Sequence, residues 1–141
     1  MSAETNLEDA LRRPLESRPE IAIAYLFGSA SRGENGPLSD VDVGVLVAGA
    51  SLGLRARGAL REDLARAVGR SVDVVPLDEV PPELAVRAVW EGRLLLSRDE
   101  PRRVRWETDT LRRYWDTAPL RRTIEQGRLR ELGEGRFGGR R

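Results

Sequence analysis

Residues 26–47 read LFGSASRGENGPLSDVDVGVLV. A Gly-Ser pair opens the stretch, a loop of small and turn-forming residues follows, and Asp40 and Asp42 stand one residue apart in a run of valines. Side chains alternate across a strand. A strand over 40–47 therefore puts Asp40, Asp42, Gly44 and Leu46 on one face, and Val41, Val43, Val45 and Val47 on the other. The valine face seeks a core. The opposite face carries two carboxylates about 6–7 Å apart along the chain direction, and Gly44 leaves room beside the pair. Aspartate is disfavoured in strands, and like charges on one face repel. Something positive has to offset them: solvent and an arginine such as Arg32, or a bound cation.

Upstream, IAIAYLF (21–27) is short, apolar and rich in β-formers, which predicts a buried strand ending at Gly28. The connection from 28 to 39, closed by Asn35-Gly36-Pro37 and with room for a short helix from Ser29 or Ser31, is too short for a comfortable crossover helix. The strands it joins are therefore expected to run antiparallel. Before them, TNLEDALRRPLESR (5–18) has the spacing of an amphipathic helix, bent or interrupted by Pro14. Downstream, Leu54, Leu60, Leu64, Ala67 and Val68 space a helix over 54–69 with Gly69 as its C-cap. VDVVPL (72–77) reads as a third strand, ELAVRAVWEG (83–92) as a helix, LLL (94–96) as a short fourth strand, and 100–132 as helical with a break near Thr117-Ala118-Pro119. This order predicts an α+β fold, a small mixed β-sheet with helices packed on one face. Residues 1–98 form the core, and 99–132 a helical extension of the same domain. The tail 133–141, GEGRFGGRR, lacks apolar periodicity and is expected to be disordered.

Composition narrows the chemistry. At 141 residues, 40% hydrophobic and 33% charged, the chain suits one domain with a genuine core. It has neither Cys nor His, which removes disulfides, thiolate metal sites, Cys nucleophiles and imidazole bases. Any metal must bind through oxygen, favouring hard cations such as Mg²⁺ or Mn²⁺, and any general base must be a carboxylate or a Tyr. Every cationic side chain is Arg. The N-terminus does not read as a signal peptide and no apolar run approaches a membrane span, so the expected location is cytoplasmic, with no membrane partner. Residues 1–101 carry 12 Arg against 17 acidic residues, a balance of −5, and 102–141 carry 12 against 6, a balance of +6. The basic segment reads first as a solvated helix face and second as a contact for nucleic acid or an acidic protein.

A third acid completes a pattern. Asp73 lies in VDVV with valines opposite it, as in the strand after the loop. If these strands are neighbours, Asp40, Asp42 and Asp73 converge, and without His or Cys this is the donor set of a divalent-cation site for phosphate chemistry. Two Mg²⁺ ions there could clamp the attacking and leaving oxygens of an in-line displacement. Gly28 lets backbone approach a ligand, and the N–H groups and the Ser29 hydroxyl after it favour phosphate. Arg32 suits either the triphosphate or a surface pair with Glu34. Ser39 suits support of the loop.

Gly28-Ser29, ten residues, then Asp40-Val41-Asp42, with Ser31-Arg32-Gly33 inside the loop and an Asp in the next strand, resembles the DNA polymerase β-like nucleotidyltransferase superfamily. More closely, it resembles the minimal nucleotidyltransferases, the MntA-like antitoxins of HEPN/MNT toxin–antitoxin systems. The resemblance covers residues 20–78; Ser-Arg-Gly stands where many relatives have Ala-Arg-Gly. It implies a polymerase β-like fold and Mg²⁺-dependent transfer of AMP from ATP to a hydroxyl, a Tyr of a cognate HEPN-domain ribonuclease toxin. Asp40, Asp42 and Asp73 would then be the metal-binding and catalytic acids, and Gly28 and Ser29 the phosphate contacts. A hetero-oligomer with the toxin is expected, because so short a chain has little surface of its own for selecting an acceptor. The stripe Trp106, Leu111, Tyr114, Trp115, Leu120 and Ile124 suits docking or covering the sheet equally. Three other readings stand beside this one: a non-catalytic antitoxin that occludes its partner, a small-molecule (antibiotic) nucleotidyltransferase, and, less supported by the sequence, a nucleic-acid-binding module.

Overall fold

The computed structural model describes residues 3–28, 40–49, 51–119, 123 and 127. Ser29, Arg32 and Ser39, the short helix expected after Gly28, Leu120, Ile124 and the tail 133–141 lie outside the described residues.

The elements follow the apolar pattern. Helix α1 (Ala3–Glu16) retains Pro14 in its last turn and buries Leu7, Leu11 and Leu15 at helical spacing. Strand β1 (Ile21–Phe27) is buried along its whole length, and β2 (Val41–Val47) pairs with it antiparallel, as the short connection requires. Helix α2 (Leu54–Val68) stops at Gly69, whose φ of 69° is the left-handed cap conformation and whose N–H donates to the Ala65 carbonyl. It leads into β3 (Val72–Pro76), which lies parallel to β2. Helix α3 (Pro82–Glu91) and strand β4 (Arg93–Ser97) follow, with β4 antiparallel to β1. Helix α4 (Glu100–Asp116) starts at Asp99, whose carboxylate accepts the Arg102 backbone N–H. The sheet order is β3-β2-β1-β4, mixed as expected.

The helices do not share one face, as the sequence pattern suggested. Val41, Val43, Val45 and Val47 pack with α1 and α2 in one cluster. Ile23, Tyr25, Phe27 and Leu46 pack with Ala85 and Ala88 of α3 and Trp106 of α4 in another. The physical reason is β1 itself: a strand apolar at every position has two faces to cover. A register irregularity between Ile21 and Ile23 lets those two residues, nominally on one face, enter opposite clusters. Each fully buried valine contributes roughly 1.5–3 kcal/mol. Strand propensities differ by only about 1 kcal/mol, so four valines outweigh the aspartate at position 42.

Helix α4 is fixed to β1 by polar and aromatic contacts together. The Tyr25 hydroxyl donates to Glu107 Oε2 at 2.7 Å, and Arg103 donates to the same oxygen at 2.9 Å. Burial, then the bond to Glu107, holds the Tyr25 phenol above the usual tyrosine range. The Trp106 ring lies 5.5 Å from Tyr25. The anticipated α4 stripe therefore divides: Trp106 faces the sheet, whereas Trp115 is 61% exposed. Trp115 and Tyr114 instead stack near the exposed Trp90 of α3, with ring centroids 5.0–6.5 Å from it. Tyr25→Phe removes one buried hydrogen bond to a carboxylate. It should lower stability by about 1.5–3 kcal/mol, read as a reduced denaturant midpoint at unchanged m-value.

Candidate active site

β1 runs toward the end of the sheet from which the parallel strands β2 and β3 depart. The last residue of β1 and the first residues of β2 and β3 thus meet at one end. There Asp42 is the direct Cα partner of Phe27 on one side and of Asp73 on the other. Adjacent strands lie about 4.8 Å apart, so two carboxylates from distant parts of the sequence are close neighbours. Val72 and Val74 are buried while Asp73 is exposed, the alternation expected of it. Asp40 precedes β2 rather than lying in it, and is exposed. Even so, Asp40, Asp42 and Asp73 line one cavity of about 450 Å³, with Arg61, Glu62 and Ser71 on its wall.

Burial raises the Asp42 carboxyl above its usual pKa, the Asp73 charge raises it further and Asp40 adds to this, while Arg87 of α3 opposes them. The three side chains do not close into a ready-made metal cage among the described residues. Mutual repulsion of the acids opposes their closing together, as the Asp73 and Asp40 charges acting on Asp42 show. A larger cavity, about 650 Å³, lies between α1 and α2. Its two acids are already engaged, Asp9 by Arg12 and Asp63 by Arg18 and Arg66, so it offers no comparable convergence of carboxylates.

The glycines have different purposes. Gly28 has φ of +80°, and a Cβ there would come within 2.5 Å of Asp42 Oδ2. The position demands glycine both for conformation and for contact. Gly44, expected to leave room beside the acids, instead accommodates Leu77, whose side-chain carbons would lie 2.8 Å from an added Cβ. It belongs to the core beneath the site. Arg87 was not anticipated from the sequence; its only signal there is an arginine on the flank of a helix otherwise buried at Ala85, Val86 and Ala88.

Carboxylates at the start of two adjacent strands, with a left-handed glycine against one of them, thus gather at one end of a mixed sheet. The chain belongs to the polymerase beta nucleotidyltransferase family, whose model matches residues 9–101. Over 77 residues it is 38% identical to the protein adenylyltransferase MntA of Shewanella oneidensis; the match covers 55% of this chain and about half (55%) of that protein. Among solved structures, it is similar to a toxin–antitoxin with AMP-PNP, at TM-score 0.73 and 28% identity over 91% of this chain and 99% of that one. It is also similar to a tri-AMPylated Shewanella oneidensis HEPN toxin in complex with MNT antitoxin, at TM-score 0.73 and 26% identity over 89% and 98%. No helix among the described residues is long and apolar enough to cross a membrane.

Two outcomes follow for the isolated protein. Gly28→Ala should cost about 1–2 kcal/mol for the left-handed conformation alone and displace the Asp42 carboxylate, seen as a lowered melting temperature together with weakened ligand binding. Asp42→Asn should stabilise the protein at neutral pH in EDTA, because the raised carboxyl pKa means that the charged form is disfavoured by folding. The cost is absent below the usual carboxyl value of 3.8, grows as pH rises toward the raised folded value, and is complete above it. The stability difference between the Asp42→Asn variant and wild type should therefore vanish in acid.

Proposed function

We propose that this protein is an Mg²⁺-dependent protein adenylyltransferase that transfers AMP from ATP to a hydroxyl, a tyrosine, of a cognate HEPN-domain toxin, and so acts as its antitoxin in a hetero-complex. The observation that carries this reading is the pairing of Asp42 with Asp73 across parallel strands, with Gly28 pressed against Asp42. The relatives support the nucleotide and the partner: one is an adenylyltransferase, one solved complex contains AMP-PNP and another an AMPylated HEPN toxin.

The donor set suits Mg²⁺, being all carboxylate oxygen, hard and anionic, with its charges held near one another by backbone pairing. Asp42 and Asp73 would hold the ion and Asp40 would reach it from just before β2. When bound, Mg²⁺ supplies neutralisation of the triphosphate and acidification of the attacking hydroxyl. The left-handed turn at Gly28 lets backbone come close to phosphate, and Ser29 and Arg32 are assigned as further nucleotide contacts from the sequence motif. Asp73, exposed at the open end, takes the proton as the acceptor oxygen bonds to the α-phosphorus. The bond from that phosphorus to the β-phosphate oxygen breaks, and pyrophosphate leaves. The exposed aromatic surface of Trp90 and Trp115 suits a chain that works beside a protein partner.

The test combines α-³²P-ATP, Mg²⁺ and the cognate toxin, comparing wild type with Asp42→Asn and with the Asp40→Asn/Asp42→Asn pair. Label should pass to the toxin with wild type only. The single variant should lose more than the roughly 10–100-fold typical of losing an outer-shell partner, while still co-purifying with the toxin. Neutralisation of the toxin by both variants, with no label from any protein, would replace this reading with inhibition by occlusion.

A further inference from the structure

The Gly-Ser to Asp-Val-Asp segment supplies the nucleotide contacts that the motif suggests, but the fold brings one more cation from a different element. Arg87 lies in the middle of α3. Its guanidinium carbon stands 5.8 Å from the centre of the Phe27 ring, a cation–π contact. Phe27 is the last residue of β1: it directly precedes Gly28, and its Cα partner is Asp42. Arg87 is therefore braced on the residue that joins the two halves of the site.

Its ion pair cannot account for that placement. Glu91, one turn along α3, is 3.7 Å away, beyond hydrogen-bond length. An i,i+4 pair of this kind is worth only about 0.3–0.5 kcal/mol, too little to hold a guanidinium against the oxygens of a polyphosphate. The side chain is 43% exposed, so its donors remain within reach of a ligand. The site also needs more positive charge than divalent cations bring, since three carboxylates and a triphosphate are all anionic. A planar guanidinium held over an aromatic ring is pre-organised for two parallel bonds to phosphate oxygens.

We propose that Arg87 is a phosphate-binding residue of this site, gripping the polyphosphate of the incoming nucleoside triphosphate while held over the Phe27 ring. The assignment rests on the nucleotidyltransferase reading. Binding of Mg²⁺ with AMP-PNP, and separately of AMP, should be measured by calorimetry for wild type, Arg87→Gln, Arg87→Lys and a control, Arg112→Gln, which removes an exposed α4 arginine. Arg87→Gln should weaken AMP-PNP by on the order of 10–100-fold, as expected for bonds to a charged group. Arg87→Lys should recover part of that loss, and Arg112→Gln should match wild type. AMP affinity should be nearly the same in all four proteins. Wild-type affinity for AMP-PNP in Arg87→Gln would overturn the assignment. So would equal losses of AMP and AMP-PNP accompanied by a lowered melting temperature, which would make Arg87 a structural residue. Failure of the wild type itself to bind AMP-PNP would remove the nucleotidyltransferase reading and this assignment with it.

Discussion

The parallel pairing of β2 with β3 is the constraint on which the molecule turns. It sets Asp42 beside Asp73, an arrangement that electrostatics opposes and that burial of Asp42 makes worse. The opposing strand faces supply what holds it. Val41, Val43, Val72 and Val74 are all buried against α1 and α2, and the free energy of that burial exceeds the repulsion at the rim. The first core cluster lies on one face of these strands, and the acids stand at the end of the other face beside the second cluster. Any change that slips β3 by one residue would turn Asp73 inward and a valine outward, so the hydrophobic pattern enforces the placement of the acids.

The second layer depends on β1. Because that strand is apolar at every position, its far face must also be covered, and α3 and α4 do so. Covering it brings Arg87 onto Phe27 and Trp106 onto Tyr25. The Tyr25, Glu107 and Arg103 bonds fix α4 against the sheet. Around the start of the same helix, Arg98 donates to the carbonyls of Ile21 and Glu16, and Arg102 to that of Val47. Arginine here serves as a multi-donor clasp for carbonyls at strand and helix ends, a task its fork performs and a single ammonium would do less well.

Much of this was legible in the sequence because it is local. The period-two valines, Gly69 after a helical spacing and the short β1–β2 link each specify their own neighbourhood. The proximity of Asp42 and Asp73 could be read only conditionally, since strand order is not a local property. Two readings failed for identifiable reasons. The continuous apolar run of β1 already implied two covered faces, but a continuous run also suits a strand in many other settings. Gly44 looked like room beside the acids because Leu77, which fills that space, is distant in the sequence and reaches it only through the fold. Arg87 was invisible for the same reason: nothing near it in the sequence marks it, and its partner Phe27 lies in the first strand. The α4 stripe was ambiguous because helical spacing alone does not say which aromatic turns inward.

The register that joins Phe27, Asp42 and Asp73 also has a consequence for synthesis. The three positions come from separate strands, and the third arrives only after α2 has been made. A nascent chain that has emerged as far as Val47 can pair its first two strands but holds only part of the acid constellation. Completion waits for the crossover to bring β3 alongside, and Arg87 emerges later still. The three positions thus come together only when the non-local sheet closes, and not while the first two strands stand alone.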